Sequence, residues 1–433
     1  MDEQGIDARP RSAVSDGVGL AGLAGLALFY LAARVWSLAG PWVPLLGLAA
    51  CALPMLLWSL LVDRVYRNPS TGIDWSAPPR PWGEALHTGL VKLAGLWVTW
   101  GVIAFIYWLG RWYAQGDYGF ATGVLRAALP ALLVFSVPYV IWLDRRLVEP
   151  RDGAWALGHW LLTAGRGFDP ALKAKLSEHA RSWAIKGFFT AFMLSTLRGN
   201  WAVATAASPQ AMWNDPVVLA DGLVAIMFLI DVSLGTVGYI FTMRPLDSHI
   251  RSGNPYAAAW MAALICYPPF ILMNPGGPLD YQQHQLGWTR ALSDHPLLQP
   301  VWAFALIGLT ACYAWATVAF GLRFSNLTHR GILTNGPYRF TKHPAYVSKN
   351  LFWWMAALPM LTTSGQWSDA LRNCCILGVI NAVYFWRAKT EERHLSADPA
   401  YRAYVEWMAR SGPIARLRRA IRPVPAEAMQ PAE

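Results

Sequence analysis

Stretches of about twenty mostly apolar residues recur along this chain of 433 residues. Each is long enough to cross the roughly 30 Å hydrocarbon core of a bilayer as a helix. Ten are read, at 18–39, 43–62, 89–112, 123–143, 183–206, 216–242, 256–273, 300–321, 345–364 and 370–387. Hydrocarbon offers no partner to a backbone N–H or C=O, so segments of this kind must satisfy their own backbone as helices. Composition agrees: 55% of residues are hydrophobic and 14% are charged, against about 25% charged in soluble domains. The 24 tryptophans suit a protein that meets the membrane–water interface. A soluble globular enzyme, a disordered chain and a disulfide scaffold are excluded. The expected fold is an all-α polytopic integral membrane protein with about ten transmembrane helices.

The net charge of +10 is explained by where the basic residues fall. Under strict alternation of ten spans, 28 of the 36 Lys and Arg lie on the side of the termini, in 1–17, 63–88, 144–182, 243–255, 322–349 and from 387 onward, with Lys349 and Arg387 at span ends counted there. The opposite side holds Arg290, and the other seven lie in or at the ends of spans. Basic residues mark cytoplasmic loops, so both termini are expected in the cytoplasm, and no nucleic-acid partner is needed. The expected setting is the lipid bilayer of a bacterial inner membrane. The leader 1–17 mixes Asp2, Glu3, Asp7 and Asp16 with Arg9 and Arg11 and lacks a clear small-residue cleavage site, so the first span is not read as a cleaved signal peptide.

Four parts are expected. They are a cytoplasmic tail (1–17), an N-terminal membrane region of seven spans (18–299), a C-terminal membrane region (300–413), and a basic, then disordered tail (414–433). In the second part, span five carries Lys186 and Arg198, span six carries Asp231, and Pro268-Pro269 kinks or unwinds span seven. A charge inside a span is costly and has a partner or a function; Lys186 and Arg198 are the partners considered for Asp231. The basic loop 144–182 ends in PALKAKLSEHARSWAIKGFF, which reads as a helix running into span five. The five cysteines lie in apolar stretches and are read as buried hydrophobes. The nine histidines form no HxxxH, HxxHH or HExxH pattern, so no metal site is expected.

The informative stretch is 322–413. Asn335-Gly336-Pro337 is a turn, and His343-Pro344 is a helix start, because proline is favoured at the first helical position. The start of that helix offers unpaired N–H groups to an anion, with Tyr338, His343 and Tyr346 beside it. A hairpin of two short spans returns the chain to the same face. There Tyr384, Arg387, Glu391 and His394 recur at helical spacing and form one stripe. Two polar clusters far apart in sequence are thereby joined into a pocket for a polar ligand at the membrane surface. The plainer reading is a solvated salt bridge between Arg387 and Glu391, with ordinary basic anchors around it.

Gly336-Pro337-Tyr338, His343-Pro344-Ala345-Tyr346, Thr390-Glu391-Glu392, Tyr401, Tyr404 and Pro413 together resemble the isoprenylcysteine carboxyl methyltransferase family. The wider group includes the phospholipid N-methyltransferases. The resemblance covers roughly 301–413, and the first 300 residues have no counterpart in it. It implies an S-adenosylmethionine-dependent methyltransferase whose cofactor pocket opens to the cytoplasm, with access from the bilayer for a lipophilic acceptor. By the same resemblance, Ile332, Leu333, Tyr338, His343, Pro344, Ala345, Tyr346 and Glu391 bind the cofactor. Arg387 and Tyr384 lie on the substrate side, and Arg387, His343 and Glu391 are the candidate catalytic residues. Lys342 stands where the family usually has Arg, Arg330-Gly331 replaces a more typical polar pair, and Val347-Ser348 follows Tyr346 where a glycine is common.

Methyl transfer from a sulfonium is an in-line displacement, which asks the protein mainly to align and desolvate the reactants. A carboxylate acceptor, to which Arg387 points, needs no base. An amine or thiol acceptor needs one, and His343, Glu391 and His394 are then the candidates. The N-terminal region is the place for acceptor selection. Two further readings share features of this chain. Ten-span, NADPH-dependent sterol or polyprenyl reductases have a similar C-terminal hairpin but carry Arg-Asp rather than Glu-Glu in the closing helix. A transporter or scaffold would account for the broken span and the buried charges.

Overall fold

The computed structural model describes residues 9–167 and 169–421. The start of the leader and the Pro/Ala-rich end, expected to be disordered, lie outside the described residues. The chain is predominantly α-helical. In order, the helices are α1 (Asp16–Val35), α2 (Val43–Leu57), α3 (Trp82–Gly110), α4 (Gly119–Asp144), α5 (Gly153–Leu162), α6 (Pro170–Ala206), α7 (Pro209–Asn214) and α8 (Pro216–Ile240). They continue with α9 (Ala257–Leu264), α10 (Trp288–Ala291), α11 (Leu298–Phe320), α12 (Pro344–Ala357), α13 (Trp367–Leu395), α14 (Pro399–Ser411) and α15 (Pro413–Ile421).

Six helices are long and apolar enough to cross a membrane: α1, α2 with the π-helical turn that follows it, α3, α4, α8, and α11 with its final turn. They coincide with the first four, the sixth and the eighth of the ten expected spans. The other four differ from uniform apolar spans, each for a physical reason. Span five lies in α6, a helix of 37 residues that carries Lys186, Arg198, Thr196 and Asn200. Span seven is helical only from Ala257 to Leu264 and unwinds ahead of the Pro268-Pro269 pair. Span nine is α12, whose 14 residues reach only about 21 Å. Span ten lies in α13, which is long enough but carries Asn373, Asn381 and Arg387.

Capping sets the helix starts. Asp169, Asp215 and Asp398 each accept backbone N–H groups ahead of a proline at the first helical position, opening α6, α8 and α14. The continuous helix α6 bears out the reading of 170–189 as one helix that runs on into the segment read as span five. The short apolar helix α5, capped by Asp152, was not expected; its ten residues are too few to read as a span.

The largest core joins α1, α2, α6, α8 and α11. Many apolar side chains outside it are exposed, among them Leu28, Trp108 and Phe135, as a lipid-facing belt requires. Without water to drive helices together, close packing depends on small residues. A β-carbon added to Gly19 of α1 would stand 1.9 Å from the Val318 carbonyl oxygen of α11. The N-terminal region is thus seated directly on the first helix of the C-terminal one. A two-residue antiparallel ladder, Ser252–Gly253 with Thr328–His329, ties the two regions again.

Any side chain at Gly19 pushes α1 off α11. Gly19→Leu is expected to destabilise the detergent-solubilised protein by about 1–3 kcal/mol, the usual cost of overpacking. An unfolding temperature equal to the parent's would contradict this contact.

Candidate active site

The turn Asn335-Gly336-Pro337 forms as read, with the Tyr338 N–H donating to the Asn335 carbonyl at 3.0 Å. The α12 helix begins at Pro344, immediately after His343. Ahead of the turn, residues 330–335 are fixed from two sides. Arg330, 3% exposed, donates to the carbonyls of Ser248, Gly238, Phe324 and Leu322. From the other side the segment before α1 lies against the loop. The Ala13 N–H donates to the Ile332 carbonyl at 2.9 Å, and Asn335 Nδ2 donates to Asp16 at 2.8 Å. Gly331 has φ +107°, and a β-carbon there would meet the Arg323 guanidinium at 2.3 Å. The Arg330-Gly331 pair, a departure from the family pattern, is therefore an internal staple.

These elements enclose a cavity of about 330 Å³, within the range of ligand pockets, about 300–1,000 Å³. Ile332, Leu333, Tyr338, His343, Ala345, Tyr346, Tyr384, Arg387 and Glu391 all line it. Pro344 does not: it is buried as the first residue of α12 and acts by starting that helix. His394 completes the stripe on α13.

Arg387 and Glu391 are not a surface salt bridge. Arg387 is 3% exposed and forms no ion pair among the described residues. Its guanidinium lies 5.0 Å from the ring centre of Tyr384, 5.3 Å from Tyr346 and 5.5 Å from Tyr267. Nη2 donates to Asn326 Oδ1 at 3.2 Å, and Nη1 has no partner. Glu391 accepts a short hydrogen bond from the Tyr346 hydroxyl.

His343 faces Glu392 rather than Glu391. Its Nε2 lies 3.0 Å from Glu392 Oε1, which also pairs with Lys342 Nζ at 2.6 Å, while Lys389 holds Oε2 at 3.0 Å. The hydrogen bond from His343, aided by Lys342 and Lys389, keeps the Glu392 carboxyl well below the usual carboxylate range. Lysine at 342, where the family has Arg, thus serves this network. The His394 imidazole is pushed down to about 4 by burial and by neighbouring His329; it is neutral at physiological pH.

Several lining residues come from outside the motifs. Phe192, Met193, Thr196 and Asn200 of α6, and Phe228 and Asp231 of α8, form one wall. Asp231 is bonded by the hydroxyls of Tyr313 and Thr317 of α11, not by Lys186 or Arg198. The Lys186 amino group lies over the Trp183 ring instead, 4.8 Å from its centre. Lys349, one turn beyond Tyr346, also faces the cavity. A basic residue inside an apolar segment was its sequence signal. Tyr313 and Thr317 gave none, since each lies more than eighty positions from Asp231. Tyr401 and Tyr404 of α14 close the other end, and the buried Tyr401 hydroxyl has no partner.

Residues 298–397 match the isoprenylcysteine carboxyl methyltransferase family. The match contains α11, the turn, α12 and α13, and stops short of α14. It supports a membrane methyltransferase, in agreement with the apolar helices. No curated protein and no solved structure matches the chain.

Glu392 links this site to stability. Its carboxyl is depressed below its ordinary value of 4.5, so the network's contribution is complete above that pH and is lost as pH falls toward the folded value. Glu392→Gln is expected to cost about 1–2 kcal/mol at neutral pH, with the difference from the parent shrinking below about pH 4. Thermal unfolding across pH checks this; a difference independent of pH would contradict it.

Proposed function

We propose that this protein transfers a methyl group from S-adenosylmethionine to the carboxylate of a lipophilic acceptor, a prenylcysteine-like amphiphile, at the cytoplasmic face of the membrane. The observation that carries the reading is Arg387. A guanidinium buried without a counter-ion is strongly disfavoured; Nη1 has no hydrogen-bond partner, and the residue lines the cavity. A carboxylate satisfies it with charge-assisted hydrogen bonds. The matched family has this chemistry in its name.

The residues present suit the cofactor. Ile332, Leu333 and Ala345 offer an apolar wall, the rings of Tyr338 and Tyr346 suit a sulfonium cation, and Glu391 suits ribose hydroxyls or an ammonium group. The orphaned Tyr401 hydroxyl lies at the same end of the cavity. When bound, S-adenosylmethionine supplies a methyl group on a positively charged sulfur. Arg387 would hold the acceptor carboxylate, with Tyr267, Tyr346 and Tyr384 fixing the guanidinium. The chemistry supplied would be displacement at the methyl carbon by the carboxylate oxygen, the sulfur leaving with the electron pair of the broken bond. No proton moves, so His343 and His394 have no base to play. His343 acts with Lys342 to anchor Glu392 and hence the end of α13 next to Glu391.

The four segments that fall short of uniform spans each bring polar side chains to the lining: Thr196 and Asn200 from α6, Tyr346 and Lys349 from α12, Tyr384 and Arg387 from α13, and Tyr267 from the unwound chain after α9. On this reading they also cross the bilayer, giving ten crossings with both termini in the cytoplasm.

Calorimetry on the purified protein tests the cofactor half. Glu391→Ala is expected to weaken S-adenosylmethionine binding about tenfold or more, and His343→Ala to weaken it less. Arg387→Ala is expected to leave that affinity near the parent's while lowering methyl transfer about a hundredfold or more, as loss of a buried charge contact of about 3 kcal/mol implies. Parent-like cofactor affinity in both Glu391→Ala and His343→Ala would sink the site assignment.

A further inference from the structure

Arg387 is not the only cation in the cavity. The Lys349 amino group lies 5.3 Å from the ring centre of Trp353, 5.5 Å from Tyr313 and 5.7 Å from Tyr384. It makes no hydrogen bond and no ion pair among the described residues. The Tyr384 ring is shared, since the Arg387 guanidinium stands 5.0 Å from the same centre. Two cations therefore flank one ring inside one compartment. Like charges away from water repel strongly, and the fold answers only part of that. Asp231, 6% exposed, reaches the compartment from α8, held there by Tyr313 and Thr317. The Tyr313 ring that orients Asp231 also carries Lys349. Asp231 offsets one positive charge of the two. Glu391 is taken by Tyr346 and is assigned to the cofactor, and Glu392 is taken by Lys342, Lys389 and His343.

We propose that Lys349 is a second, specificity-determining contact for the acceptor. The acceptor carboxylate is held between Arg387 and Lys349, and Asp231, supplied by the N-terminal region, keeps Lys349 charged and in place. This rests on the carboxylate reading of the site and adds a consequence. Around the Tyr384 ring, the pair Arg387 and Lys349 set against Asp231 leaves one net positive charge for the acceptor to neutralise, so the free acid binds better than its methyl ester. Methylation removes the charge that both cations grip, and the product is released because its two strongest contacts are lost. An amine acceptor would meet two cations and be rejected.

The test is calorimetry on the full chain in nanodiscs, saturated with S-adenosylhomocysteine so that nothing turns over. The probes are N-acetyl-S-farnesylcysteine and its methyl ester. The parent is expected to bind the acid about tenfold or more tighter than the ester. Lys349→Gln is expected to reduce that ratio about tenfold with S-adenosylhomocysteine affinity unchanged, which also shows that the variant is folded, and Lys349→Arg is expected to restore most of it. A parent that binds acid and ester equally, or binds neither, overturns the proposal without reference to any variant, and so does a parent-like ratio in Lys349→Gln. Methyl transfer measured on the same preparations separates the two claims. Transfer by the parent with an unchanged ratio in Lys349→Gln removes the second contact only. A Lys349-dependent preference for the acid, with no methyl transfer, removes the reaction and leaves the second contact standing.

Discussion

A guanidinium shielded from water has to be solvated by the protein, and most of this site is organised around doing that for Arg387. Three tyrosine rings surround it, each offering the electron-rich face of its π-system, and Asn326 takes one N–H. The rings come from three places: Tyr346 from the start of α12, Tyr384 from α13 itself, and Tyr267 from the unwound chain after α9. The constraint thus reaches across the C-terminal hairpin into the N-terminal region. Tyr346 also bonds Glu391, so the cation and the carboxylate on one stripe are separated by a shared ring rather than joined in a salt bridge. That separation leaves both groups available to a ligand.

The N-terminal helices earn their place by walling this compartment. Asp231 is bonded by hydroxyls from α11, and its charge faces the same space as Lys349 and Arg387. The seat of Gly19 on the Val318 carbonyl and the strap of residues 10–16 across the 330–335 loop bind the two regions into one structure. On the proposed reading, the C-terminal hairpin supplies the cofactor chemistry common to the family, while α6 and α8 shape the acceptor side.

Six of the ten expected spans are legible because lipid allows only one kind of helix, uniformly apolar and about twenty residues long. The other four are where the reading weakens, and the cause is the site itself. Polar residues such as Arg387, Lys349 and Thr196 lower the hydropathy of segments that face the cavity, and Pro268-Pro269 follows the early end of α9. The stripe at 384, 387, 391 and 394 is legible because helical spacing alone places those residues together. The partners of Asp231 are not, because nothing in the local sequence ties it to Tyr313 or Thr317, and the nearer cations Lys186 and Arg198 were the natural guess. His343 shows a similar limit. Its motif position is plain, but whether it meets Glu391 or Glu392 depends on the rotation of α13, which the spacing of two adjacent carboxylates does not fix.

The central claim is that the acceptor is a carboxylate, and the chemical lability of the product tests it most directly. Membranes containing the protein are incubated with methyl-labelled S-adenosylmethionine, and the lipid-soluble label is treated with mild alkali. A methyl ester releases the label as volatile methanol, which is the result this account predicts, with release abolished in Arg387→Ala membranes. Lipid-soluble label that survives alkali, as a methylated amine or thioether would, contradicts it.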